Sequence, residues 1–190
     1  MMIKFKHVPA TNGCTDKLYI YFSGLDGRLK EDEYHLYAPA MKLGYESFFF
    51  KDISKRWYHT TNTEEIKQQL CNIVANFDGR VIFVGTSFGG YGAIMFGLHA
   101  HPAKIIAFSP QTSCQFCDTP LAKQYELSEN RPIIEIHRCK TQRDNTQWND
   151  KASADAMVEY ATIIIHDCEI HSSVEALHNI GKLQEILQGA

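Results

Sequence analysis

The chain lacks any apolar run long enough to cross a bilayer, and its start, Met1-Met2-Ile3-Lys4-Phe5-Lys6-His7, lacks the apolar core of a secretory leader. Charge of one sign is also missing. Nineteen Lys and Arg stand against 22 Asp and Glu for a net of -3, and the basic residues are scattered, which excludes an electrostatic footprint for nucleic acid. No repeat or low-complexity segment is present. These absences point to a cytoplasmic protein with neither a nucleic-acid nor a membrane partner. In that setting the six cysteines (Cys14, Cys71, Cys114, Cys117, Cys139, Cys168) are read as reduced thiols with no bridges.

What is there is ordinary globular material. With 190 residues, 44% of them hydrophobic, the chain can bury one substantial core, and 1–190 reads as a single domain. Short runs rich in β-branched and aromatic residues predict strands at 3–8, 18–22, 46–50, 81–84, 105–108, 133–137 and 162–166. Helical spacing predicts helices at 31–42, 63–77, 89–99, 150–160 and 172–187, the last on Val174, Leu177, Ile180, Leu183 and Ile186. Alternation of this kind implies a three-layer α/β/α sandwich on a mostly parallel sheet. Two stretches, 109–131 and 138–149, break the alternation. Loops at the carboxyl ends of parallel strands build sites, so substrate contacts are expected there.

The most informative segment is Val81-Ile82-Phe83-Val84-Gly85-Thr86-Ser87-Phe88-Gly89-Gly90-Tyr91-Gly92-Ala93. It reads as an apolar strand, then Gly-x-Ser-x-Gly, then a helix of small residues. A strand that turns into a helix within about one residue strains the serine backbone and lifts its hydroxyl from the sheet. Side chains at 85 and 89 would collide in such a turn. The N-terminus of the following helix favours developing negative charge, which makes the Phe88 N–H a candidate oxyanion donor.

On this motif and on the order of its strands and helices, the chain resembles the α/β-hydrolase superfamily, in a form without a large lid. The resemblance implies a serine hydrolase acting through an acyl-enzyme, with Ser87 as nucleophile and no cofactor. It also implies a second oxyanion donor from the loop after an earlier strand, often His-Gly-x. Here Ser23-Gly24-Leu25 stands in that place, so the donor is the Leu25 or Gly24 N–H.

The triad order on such folds is Ser, then Asp or Glu, then His. His166 ends a strand, whereas His171 sits in the loop before the last helix and is chosen as the base. His7, His35, His59, His99 and His101 are given ordinary structural roles, and His178, a turn or more into the last helix, is a distant reserve. The acid falls within 138–151. Asp150 is placed ahead of Asp144, although an aspartate at a helix start is commonly an N-cap. Glu135 and Asp167 rank behind. Trp148, beside the proposed acid, is a candidate for lining the substrate pocket.

Cys114-Gln115-Phe116-Cys117 has the spacing of a zinc knuckle but no second pair, so no metal is assigned. Tyr45, Phe48, Phe49, Phe50, Trp57 and Tyr58 read as core. The expected partner is a small acyl ester, or an acyl donor with a hydroxyl acceptor. An elbow reading Ser-Phe-Gly-Gly is similar to small bacterial enzymes of polysaccharide and capsule synthesis, which makes O-acyl transfer the alternative. A non-catalytic binding protein on the same fold is the reading from another class.

Overall fold

In the computed structural model the described residues are 2–25, 29–30, 32–129, 131–140, 149–171 and 173–190. Seven strands form one sheet: β1 (Ile3–Val8), β2 (Lys17–Phe22), β3 (Glu46–Asp52), β4 (Arg80–Thr86), β5 (Lys104–Phe108), β6 (Ile133–Cys139) and β7 (Thr162–His166). Their order is β1-β3-β2-β4-β5-β6-β7, with β1 antiparallel to β3 and every other pairing parallel.

The central strands are apolar on both faces because helices cover both. Leu18, Ile20 and Phe22 of β2, Val81 and Phe83 of β4, and Ile105 and Ala107 of β5 pack on one side. Tyr19, Tyr21, Ile82, Val84, Ile106 and Phe108 pack on the other. The first layer is covered by α2 (Thr63–Ala75) and α3 (Phe88–Ala100), the second by α1 (Tyr37–Leu43), α6 (Ser173–Asn179) and α7 (Lys182–Gln188). α3 is buried along nearly its whole length. Its glycines permit this: a Cβ at Gly90 would strike Pro110 and one at Gly92 would strike the Tyr58 ring.

The strands fall where the alternation predicts them, and four helices need correction. The predicted 31–42 helix is only Tyr37–Leu43. Pro39 explains this, since its ring would clash with the carbonyl four residues back and a helix cannot extend upstream of it by more than a few residues. The predicted 172–187 helix is two helices, because Gly181 adopts φ 76 between α6 and α7. The break resets the helical phase and leaves Ile180 61% exposed while Leu177 and Leu183 stay buried. α5 (Asp150–Asp155) stops short of 160, and α4 (Leu121–Leu127) lies inside a stretch read as loop.

A disulfide joins Cys139 and Cys168, against the expectation of reduced thiols. Cys139 ends β6 opposite His166 of β7, which brings Cys168, two residues further on, to a Cα separation of 4.8 Å. The two lie 29 residues apart in sequence, so only strand pairing reveals the contact. Bridges of this kind are usual in oxidising compartments. Among the described residues no helix is long and apolar enough to cross a membrane.

Candidate active site

Ser87 forms the junction between β4 and α3, with φ 52 and ψ -118. Left-handed backbone in a residue with a Cβ costs about 1–3 kcal/mol and persists only where the surroundings enforce it. They do so here. The Ser87 N–H donates to the Phe108 carbonyl of β5, and the Ser87 carbonyl accepts from the N–H groups of Gly90 and Gln111 at 2.9 and 3.3 Å. A Cβ at Gly85 would collide with the Gly89 backbone, and one at Gly89 with the Phe22 carbonyl. The glycines that flank the serine are therefore required by close backbone approach.

The loop between β7 and α6 brings His171 to this serine. Its Nε2 lies 3.2 Å from Ser87 Oγ, and its Nδ1 lies 2.6 Å from Asp150 Oδ1. With a carboxylate at Nδ1, that nitrogen carries the proton and donates, leaving the Nε2 lone pair to accept from the hydroxyl. The Asp150 carboxylate is 4% exposed, and the Gln111 amide nitrogen also reaches its Oδ1, at 3.4 Å.

Asp150 does not cap its helix. Asn149 does, its side-chain oxygen accepting from the Ala152 N–H at 2.9 Å. One residue thus satisfies the helix end while the next turns its carboxylate inward to the imidazole. Asp144 and Trp148 lie outside the described residues. His166 is turned elsewhere, its Nε2 hydrogen-bonded to His137 Nδ1 at 2.9 Å, and Glu135 pairs with Lys104.

Sequence reasoning missed the residues that hold this arrangement from beneath. Ser109 follows β5 with φ 42, its hydroxyl donates to Ser173 Oγ at 3.0 Å, and the Ser173 hydroxyl in turn donates to the His137 carbonyl at 3.2 Å. The Ser173 N–H bonds the His171 carbonyl, so the chain of hydroxyls fastens the histidine loop to the ends of β5 and β6. A serine or glutamine just past a buried strand is the only trace such residues leave in a sequence.

No protein-family model and no curated protein matches the chain. Solved structures do. The capsule O-acetyltransferase of Neisseria meningitidis serogroup A is 14% identical, with a TM-score of 0.72 over 98% of this chain and 91% of that one. An α/β serine hydrolase without a lid from Xanthomonas campestris is 13% identical, with a TM-score of 0.59 over 96% and 87%. The Pyrococcus furiosus esterase Pf2001 is 16% identical, with a TM-score of 0.63 over 98% and 92%.

The chain has the α/β-hydrolase fold.

On this fold the segment after β2 approaches the elbow. A Cβ at Gly24 would stand 2.6 Å from the Thr86 carbonyl and 3.3 Å from Ser87 Cβ, so only glycine fits. Ser23, where the resemblance leads one to expect histidine, is buried and bound on several sides. Its Oγ accepts from the His35 N–H, its N–H donates to the Phe50 carbonyl, and its carbonyl accepts from the Tyr58 hydroxyl. A pocket of about 650 Å³ opens beside the elbow, lined by Leu25, Lys55, Trp57, Phe88, Ser113, Cys114 and Gln115. Cys114 Sγ accepts from the Phe116 N–H, and Cys117 Sγ donates to the Thr119 carbonyl and accepts from the Gln124 amide at 3.3 Å.

Behind the site, burial holds the His137 imidazole below the usual histidine pKa of 6.5, and the neighbouring His166 adds to the effect, while Glu135 opposes it. A histidine whose folded pKa is depressed stays neutral while the unfolded chain takes up its proton. Its contribution to stability is therefore complete above pH 6.5 and is lost as the pH falls below that value. Tm should accordingly drop on acidification from pH 7 to 5, and His137→Gln should flatten that part of the profile in thermal melts.

Proposed function

We propose that the chain is a serine-dependent acyl hydrolase, with Ser87 as nucleophile, His171 as base and then acid, and Asp150 orienting the imidazole. The observation that carries this reading is the continuous hydrogen-bonded run from Ser87 Oγ through both ring nitrogens of His171 to a buried Asp150 carboxylate, built on a strained elbow. In this mechanism His171 Nε2 takes the hydroxyl proton as Ser87 Oγ attacks the ester carbonyl carbon. The oxyanion meets the Phe88 N–H and the Leu25 or Gly24 N–H. The leaving alkoxide takes the proton back from His171, and water repeats the cycle in reverse on the acyl-enzyme.

A second reading has the same acyl group passing to a hydroxyl acceptor, as in O-acetyl transfer to a polysaccharide. Likeness to the meningococcal capsule O-acetyltransferase favours it. Labelling the folded protein with a fluorophosphonate and mapping the modified peptide by mass spectrometry tests both. The expected adduct is on Ser87. A folded protein that takes no label would overturn the serine mechanism and leave a non-catalytic binding protein. Acetyl consumption from acetyl-CoA that depends on an added polysaccharide acceptor would select transfer over hydrolysis.

A further inference from the structure

Residues 53–58 follow β3 in an unusual backbone. Lys55, Trp57 and Tyr58 adopt φ 56, 56 and 64, three left-handed residues within four positions and none of them glycine. The Asp52 carboxylate enforces this. Oδ1 accepts from the Ser54 N–H and hydroxyl at 2.9 and 2.5 Å, and Oδ2 accepts from the N–H groups of Arg56 and Tyr58 at 2.7 and 2.9 Å. One side chain thus gathers four donors and closes the turn. Strain of this kind collects at ligand clamps, where surrounding bonds fix the backbone in advance.

The turn touches both sides of the proposed oxyanion site. The Tyr58 hydroxyl donates to the Ser23 carbonyl at 2.8 Å, and the Trp57 ring stacks on Phe88 at 3.9 Å between centroids. Trp57 is almost wholly covered, so it forms a wall of the pocket, whereas Lys55 is exposed on the same wall. Among the described residues no carboxylate pairs with the Lys55 ammonium. The Asp52 carboxylate is occupied by its four donors, and the adjacent Arg56 guanidinium lies 5.0 Å over the Phe116 ring, keeping a second cation on this rim. Among the described residues that line the pocket, the other polar groups, Ser113, Cys114 and Gln115, are neutral.

We propose that this Asp52-closed turn is a preformed anion-recognition element, with Lys55 binding a carboxylate or phosphate carried by the substrate next to its acyl group. The proposal rests on the reading of Ser87 as the reacting group and names the class of substrate brought to it: an acyl compound with an anionic group on its non-reacting part. A cation on a backbone held by the turn, beside a partly apolar pocket, favours such a ligand over a neutral ester, and the exposed position makes the gain modest and sensitive to salt.

Calorimetric binding to the wild-type protein at low salt tests this without requiring turnover. The probes are succinamate, n-butyl phosphate and neutral succinamide. At least one anion is expected to bind more tightly than succinamide, to lose about fivefold in affinity in Lys55→Met, to keep it in Lys55→Arg, and to weaken as salt is added. The two anions separate carboxylate from phosphate. Equal binding of anion and diamide, or an anion preference that survives Lys55→Met, would overturn the proposal. Lys55-dependent anion binding in a protein that never labels at Ser87 would instead leave this element standing and remove the catalytic reading.

Discussion

Ser87→Ala is expected to lower kcat for ester hydrolysis by about 10^6, with His171→Ala costing a comparable amount and the double variant no more than either alone. The non-additivity follows from the geometry. His171 Nε2 faces Ser87 Oγ at 3.2 Å, so each group is useful only through the other. Without the hydroxyl there is no covalent intermediate, and without the imidazole the hydroxyl proton has no acceptor. A residual rate of roughly 10^3–10^4 over water should survive from the oxyanion donors and substrate binding. Folding should be unharmed in Ser87→Ala, because the bonds that fix the elbow run through the Ser87 backbone and not its hydroxyl. Steady-state kinetics beside a thermal melt checks both points. Full activity in a folded Ser87→Ala protein would remove the serine from the mechanism.

The elbow was legible in the sequence because its requirements are local. Gly85 and Gly89 are forced by backbone approach within a few residues, and the apolar run before them has to be a strand buried on both faces. The long-range features were not legible in this way. The Cys139–Cys168 bridge depends on β6 and β7 lying side by side in a particular register. Gln111, Ser109 and Ser173 meet around His171 and Asp150 only because three strand ends converge there. The strained turn at 52–58 left no glycine to mark it, since Asp52 supplies through hydrogen bonds the constraint that glycine usually relieves. Trp57 and Tyr58 were rightly read as core, yet their burial against Phe88 and Ser23 is also what ties that core to the pocket.

Asp150→Asn is expected to lower kcat by about 10^4 with little change in KM. An asparagine is nearly the same size and could stay in the same buried site, so the loss would come from proton placement. Its amide can present N–H to His171 Nδ1, which moves the imidazole proton to Nε2, and a protonated Nε2 cannot accept from Ser87. The imidazolium formed during attack also loses its counter-charge in a site where the carboxylate is 4% exposed and water cannot replace it. The neighbouring residue gives the control. Asn149→Ala removes the helix cap and should cost about 1 kcal/mol of stability with a far smaller effect on kcat. Asp144→Asn supplies the second comparison. If the acid is Asp150, that variant stays near wild type in kcat. A collapse in Asp144→Asn alongside an active Asp150→Asn would move the acid to position 144 and make the 2.6 Å contact between Asp150 and His171 a structural ion pair.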